Sequence, residues 1–209
     1  MDIKIVVSRY NEDISWLLPL KHYCIFINKG ELLNIENEIQ LENMGRESHS
    51  YLWFIINNYE NLPDIVAFTQ GNIKDHIEID NLKYLENMVK EAVIYNKSMP
   101  NALHNYKTNK KMNGELGPTW NFKDNEWYLK NNYSNNQPQF FIDWFIKNIK
   151  PDYPYSTMYF YMNGIFAVKK DLILKNSKEY YEKLIKSVDH NIDPAEGHFL
   201  ERSWYHIFE

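Results

Sequence analysis

Lys4-Ile5-Val6-Val7-Ser8-Arg9-Tyr10-Asn11-Glu12 decides the fold class. An apolar, β-branched run that ends abruptly in polar residues reads as a buried strand followed by a loop. Working outward, Asp13 or Ser15 is placed to cap a short helix through Trp16-Leu17-Leu18, before Pro19. A second strand is expected from Tyr23 to Ile27, ending at Asn28-Lys29-Gly30. Tyr51, Leu52, Ile55, Ile56 and Tyr59 fall on one face of a helix. Leu62-Pro63-Asp64 stops that helix, and Ile65-Val66-Ala67-Phe68 is a third strand ending at Gln70-Gly71-Asn72. Strand, helix, strand, helix, strand with short links predicts an α/β sheet with parallel strands. The polar loops all follow strand C-termini, the edge on which open α/β sheets hold ligands.

The remainder reads as one continuing domain, residues 1–209, without internal repeats. Leu82, Leu85, Val89, Ala92 and Val93 predict an amphipathic helix. Residues 96–139 are polar and Asn-rich, with Gly114, Gly117, Pro118 and Pro138, and read as a lid or inserted subdomain. Phe140, Phe141, Trp144, Phe145 and Ile149 suggest a helix. Met158–Val168 suggests one bent strand or two short ones around Asn163-Gly164. Tyr180, Leu184, Ile185 and Val188 give a further helix face, and the closing segment is expected to be helical after Gly197.

Composition narrows the class. The chain has 209 residues, 44% apolar and 24% charged, with a net charge of −5. That is ordinary for a globular protein, and the acidic balance argues against a nucleic-acid surface. No apolar stretch has the length of a membrane span and the start shows no signal-peptide pattern, so a soluble, cytoplasmic protein is expected. Cys24, the only cysteine, sits in an apolar run and reads as a buried thiol. About one residue in eight is asparagine, and of 23 basic residues only Arg9, Arg46 and Arg202 are arginine. An AT-rich coding sequence accounts for their scarcity. Their positions, each in a polar segment with chemical potential, point to a small phosphorylated ligand, since a planar bidentate donor is what lysine cannot supply.

Four segments could carry chemistry, each with a bland counterpart. In Ser8-Arg9-Tyr10-Asn11-Glu12 a tyrosine can stack on a base, Asn and Glu can bond a base edge or ribose, and Arg can fork a phosphate; otherwise it is a polar loop. In Asn43-x-Gly45-Arg46-Glu47-x-His49 a glycine allows close approach to a helix N-terminus that attracts anions; otherwise it is an ordinary helix start with Glu47 favourable to the dipole. Gln70-Gly71-Asn72-x-x-Asp75-His76 offers two metal-ligating side chains or simply turn chemistry. In Glu196-Gly197-His198-x-x-Glu201-Arg202 a carboxylate could act as a base beside an arginine, or form a surface ion pair. Trp120 and Trp127 are sugar-stacking platforms or loop anchors. There is no P-loop, no G-x-G-x-x-G and no G-x-S-x-G nucleophile turn.

Taken together, the segments resemble the DUF3431 family. The resemblance is carried by Val6-Val7-Ser8-Arg9-Tyr10-Asn11-Glu12-Asp13-x-x-Trp16-Leu17, Ile27-Asn28-Lys29-Gly30 and Asn43-x-Gly45-Arg46-Glu47-Ser48-His49-x-Tyr51-Leu52. It continues in Asn58-Tyr59-x-Asn61-Leu62-Pro63-Asp64, Phe68-x-Gln70-Gly71, Gly164-x-Phe166-Ala167-Val168 and Leu200-Glu201-Arg202-x-Trp204-x-x-Ile207-Phe208. That pattern is in turn similar to compact, family 2-like GT-A glycosyltransferases, which implies a GT-A-like single domain with a mixed, mostly parallel sheet flanked by helices. It implies transfer of a sugar from a nucleotide-diphospho-sugar to a glycan acceptor, as in polysaccharide biosynthesis, with inversion preferred.

The site residues follow from the same resemblance. Arg9, Tyr10, Asn11, Glu12, Lys29, Asn43, Gly45, Arg46, His49, Gln70 and Gly71 would form the donor side. Glu201, then Glu196, would be the base, with His198 or Arg202 stabilising leaving charge. A divalent cation, Mn²⁺ or Mg²⁺, is implied, but the aligned Asp-x-Asp is replaced by Gln70-Gly71-Asn72. Asp75 and His76, or Glu78 and Asp80, are the substitutes, unless an Arg or Lys neutralises the diphosphate. Two other classes stay open: a non-catalytic nucleotide-sugar or glycan-binding module, and a metal-dependent hydrolase using Asp75, His76, His198 and Glu201.

Overall fold

The computed structural model describes residues 1–74, 80–95, 141–151, 161 and 164–209. The Asp75, His76 and Glu78 expectations, the 96–139 insert and its two tryptophans lie outside the described residues. A five-stranded sheet runs in the order β3-β2-β1-β4-β5. Its strands are β1 (Ile3–Arg9), β2 (Cys24–Asn28), β3 (Glu38–Gln40), β4 (Ile65–Gln70) and β5 (Phe166–Lys169). β1 pairs in parallel with β2 and β4, β2 pairs in parallel with β3, and β5 closes the other edge antiparallel to β4. The fold is thus α/β with a mixed, mostly parallel sheet flanked by helices.

The apolar runs of β1 and β4 are continuous because both faces of the sheet are covered. Alternate residues feed two cores. Val6, Ile27, Val66, Phe68, Phe166 and Val168 point to one side. There they meet α1 (Arg46–Asn57), α3 (Phe141–Asn148), α5 (Lys178–Ile185) and α6 (Ala195–Ile207). Ile5, Val7, Phe26, Ile65, Ala67 and Ala167 point to the other, against α2 (Asn81–Tyr95) and a 3₁₀ helix (Ser15–Leu20). A short helix, α4 (Lys170–Ile173), follows β5 directly.

Several boundaries depart from the sequence expectation. The first short helix is 3₁₀ and contains Pro19, and its cap position is Ile14. Asp13 instead accepts bonds from the amide and hydroxyl of Ser15, ordering the turn that enters it. β1 and β4 run on through Arg9 and Gln70, residues first read as loop. α6 begins at Ala195, two residues before Gly197. β3 was not foreseen: Glu38-Ile39-Gln40 has no apolar run, and its ladder with β2 holds it. In the 158–168 region the described strand is Phe166–Lys169, preceded by Gly164 at φ +64°. Cys24 is 1% exposed, and burial pushes its thiol up to about 12, so it is a packed, unreactive side chain.

Phe166 is the centre of the aromatic side of the core. Its ring lies 4.8 Å from Tyr161, stacked, 5.1 Å from Phe68, 5.5 Å from Trp204 and 5.6 Å from Phe208. Truncation leaves a ring-sized cavity that rigid neighbours cannot fill. Phe166→Ala is expected to cost about 3–5 kcal/mol, measured by urea unfolding; a loss under about 1 kcal/mol would show that this cluster can collapse.

Candidate functional site

β1, β2 and β4 end at nearly the same level, with Arg9 opposite Asn28 and Ser8 opposite Gln70. Beyond these ends lies a cavity of about 310 Å³. It is lined by Ser8, Arg9, Tyr10 and Glu12 after β1, Lys29 after β2, Asn43, Arg46 and Glu47 around the start of α1, Gln70 at the end of β4, and Ile192 and Asp193 before α6. Tyr10 is 50% exposed and Ile192 57% exposed, so two large apolar side chains lie open beside polar walls.

Arg9 is buried and builds the floor. Its Nε donates to the Glu12 carbonyl at 3.0 Å. Its Nη1 donates to the Tyr10 and Glu31 carbonyls and to Asn28 Oδ1 at 2.9–3.1 Å. Asn28 in turn donates to Glu31 O and to Glu38 Oε1, both at 2.6 Å. The guanidinium thus ties the loop after β1 to the loop after β2. The phosphate fork expected of Arg9 is turned inward: Nε and Nη1 are committed to the protein.

The opposite wall is the start of α1. Gly45 has φ +60°, and a β-carbon there would lie 2.4 Å from the Val188 carbonyl oxygen, so only glycine fits. Arg46 also has a positive φ of 51°. The amides of both donate to the Asn191–Ile192 loop. The Arg46 side chain reaches Asp193 Oδ1 at 3.3 Å, His198 Nε2 at 3.1 Å and Glu47 Oε2 at 3.6 Å. Lys29, 7% exposed, donates its ammonium to the carbonyls of Met44 and Arg46. Burial brings its pKa down to about 8, against the pull of Glu47. A buried Ser8–Ser50 hydroxyl pair at 2.8 Å holds α1 to β1.

Glu47 is the residue that sequence reading missed. In the ordinary-helix-start reading of its segment it only complements the helix dipole. It is instead 8% exposed and lines the cavity. Burial raises its pKa; Arg46 and His198 oppose the rise, and Glu201 adds to it. Gly164 lies against both carboxylates: a β-carbon there would be 3.6 Å from Glu47 Cγ and 3.9 Å from Glu201 Cγ. A spacing signal existed, because Glu47 and Tyr51 lie four apart on the face that carries the core residues.

Of the residues expected on the donor side, Arg9, Tyr10, Glu12, Lys29, Asn43, Arg46 and Gln70 line the cavity. Asn11, Gly45, His49 and Gly71 stand behind it. Asn11 accepts from the Glu31 amide at 2.8 Å, and Gly71 receives the Trp16 indole N–H on its carbonyl at 2.8 Å. His198 buttresses the wall through Arg46 and Asp193. Glu201 lies beside Glu47, with Arg202 at 3.6 Å from its Oε2. Arg202 is partly buried and also donates to the His198 carbonyl at 2.9 Å. Glu196 pairs with His190 at 4.0 Å, so it is not joined to this group by an ion pair. Among the described residues no three His, Cys, Asp or Glu side chains converge as metal ligands. Nor is any described helix long and apolar enough to cross a membrane.

Fold and cavity together define an α/β protein with a polar-walled cavity at the carboxyl edge of its parallel strands. The chain belongs to the family described as protein of unknown function DUF3431, whose pattern it matches over residues 5–209. Comparison with curated proteins finds no match. Comparison with solved structures finds none either.

Two outcomes follow from these side chains. Lysine at position 9 cannot reproduce a planar donor bonded to four acceptors, so Arg9→Lys is expected to lower stability by about 2 kcal/mol in urea unfolding; an unchanged midpoint would show that the floor does not rest on it. Burial and Lys29 bring the His49 pKa down to about 4, below its ordinary 6.5. The neutral ring is therefore favoured by folding, and that contribution is complete above pH 6.5 and is lost as pH falls through 4. Between pH 7 and 4 the wild type should lose more melting temperature than His49→Gln; equal losses would clear His49 of a role in acid sensitivity.

Proposed function

We propose that this protein binds a nucleotide-diphospho-sugar in the carboxyl-edge cavity and transfers the sugar to a glycan acceptor hydroxyl. The observation that carries the reading is the cavity itself, which brings an open aromatic ring, Tyr10, to the same space as the cations Lys29 and Arg46 and the Glu47 carboxyl group, with Glu201 beside Glu47 across Gly164. A ring, a diphosphate and a hydroxyl to be deprotonated need those three kinds of group. The similarity to compact GT-A glycosyltransferases stated from the sequence points the same way.

On this reading the acceptor oxygen bonds to the anomeric carbon as the carbon–oxygen bond to phosphate breaks. The electron pair leaves with the diphosphate, and the hydroxyl proton passes to a carboxylate. Glu201 is assigned as that base, with the Arg202 guanidinium 3.6 Å from its Oε2, and one displacement inverts the anomeric centre. Arg46 and Lys29 take the charge developing on the leaving group.

A divalent cation such as Mn²⁺ or Mg²⁺ accompanies the resemblance and would polarise the same diphosphate. At the end of β4 the cavity offers the Gln70 amide, with Glu12 the carboxylate nearest Gly71, which does not fit such an ion among the described residues. The charge is therefore assigned to Lys29 and Arg46, and no step is drawn through a metal.

The test is a panel of nucleotide sugars, with and without Mn²⁺, read by melting temperature and by acceptor-dependent release of nucleotide. Stabilisation by one donor and turnover only with acceptor are expected, with Glu201→Gln reducing turnover at least about 100-fold while donor binding persists. If no donor stabilises the protein, the ligand assignment fails. Stabilisation with no turnover for any acceptor would leave a binding module, and full turnover in Glu201→Gln would remove the base.

A further inference from the structure

The charges lining the cavity balance. Arg9, Lys29 and Arg46 face Glu12, Glu47 and Asp193. With all six ionised, the cavity offers a diphosphate no net positive charge. Five of the six have fixed partners, four of them being Arg9 on four oxygen acceptors, Glu12 on the Tyr10 amide at 2.6 Å, and Arg46 with Asp193. Lys29 is held by two carbonyls. Glu47 differs from all of these. Its charged neighbour Arg46 is shared with Asp193 and His198, and Glu201 stands next to it across Gly164. An entering polyanion would set a third negative centre against two adjacent carboxylates.

We propose that the cavity binds a phosphate-bearing ligand together with a proton, and that the proton resides on the Glu47 carboxyl group. Protonation turns the lining from neutral to singly positive and gives Glu47 an O–H that can donate to a ligand oxygen. This rests on the ligand class assigned above but not on the transfer reaction. The groups that face Glu47 are Arg46 and Tyr51 on its own helix, Lys29 at the end of β2, and His198 and Glu201 on α6. Arg46, Lys29 and His198 favour the anion. Burial and Glu201 favour the acid, and the direction of the net shift is upward. The Tyr51 hydroxyl is fully buried with no hydrogen-bond partner among the described residues, and both carboxylates act on it. The Tyr51 hydroxyl therefore donates no hydrogen bond that would hold Glu47 in its ionised form.

The experiment is calorimetric titration of the full chain with UDP-glucose and GDP-mannose between pH 6 and 7.5. The diphosphate diesters of these probes do not themselves titrate there. Each titration is run in two buffers of different ionisation enthalpy, which counts protons exchanged on binding. Uptake approaching one proton is expected, with affinity falling up to tenfold per pH unit across the range between the free and liganded titrations of Glu47. Glu47→Gln, a permanently neutral amide, should abolish the uptake and flatten the pH dependence while still binding. Glu60→Gln, at an exposed carboxylate away from the cavity, should retain both. If Glu47→Gln does not fold, a carbon-13 carboxyl titration of the wild type replaces it: one glutamate signal should move to higher pH when the probe binds. Binding with no proton uptake, or uptake that survives in Glu47→Gln, overturns the proposal and leaves the ligand class intact. Absence of binding by both probes at pH 6 overturns the two together.

Discussion

Parallel pairing of β1 with β2 on one side and β4 on the other is the constraint on which the rest depends. It buries a strand on both faces, so Val6 and Val7 serve opposite cores although they are adjacent in the chain. It also makes β1, β2 and β4 stop together, with Ser8, Arg9, Asn28 and Gln70 at one edge. Backbone groups at that edge have no further ladder, and the polar side chains take over. Arg9 is the main one: a single planar cation satisfies acceptors from two loops and so fixes the floor of the cavity.

The second wall is organised by a different physical device. Gly45 and Arg46 enter α1 through left-handed backbone, a conformation that a non-glycine residue holds only when its surroundings insist. The insisting contacts come from the far end of the chain, where Asp193 and His198 meet the Arg46 guanidinium and the Asn191–Ile192 carbonyls meet the two amides. The start of α1 and the start of α6 are thus locked together. The consequence is the burial of Glu47 next to Glu201, which neither helix would produce alone.

The fold was largely legible. β1, β2, β4, α1 and α2 follow from apolar runs and helical spacing, and the carboxyl-edge location of the cavity follows from their alternation. β3 was not legible, because three residues without an apolar pattern become a strand only when β2 offers a free edge. The antiparallel direction of β5 was equally hidden, since a chain can return to a sheet edge either way and only Phe166–Lys169 against Ile65–Phe68 settles it. Among the cavity residues, Arg9, Tyr10, Lys29 and Arg46 stood in recognisable polar segments. Ile192 and Asp193 did not, because their role is created by proximity to Arg46 across nearly the whole chain.

The three arginines show where sequence stops. Their placement in polar segments is a property of the chain, and it drew attention to these three segments. Which way each guanidinium faces is a property of the packed molecule. Arg9 donates to three backbone carbonyls and Asn28, Arg202 donates to a carbonyl and pairs with a carboxylate, and Arg46 alone among them both lines the cavity and joins α1 to α6. The sequence by itself determined an α/β sheet with its polar residues at one edge, because strand and helix periodicities are local. Tertiary structure decided which of those residues line the cavity and which stand behind it. Hydrogen-bond satisfaction and desolvation depend on groups that are distant in the chain, and Glu47 changes from a helix-start charge to a buried carboxyl on that ground alone.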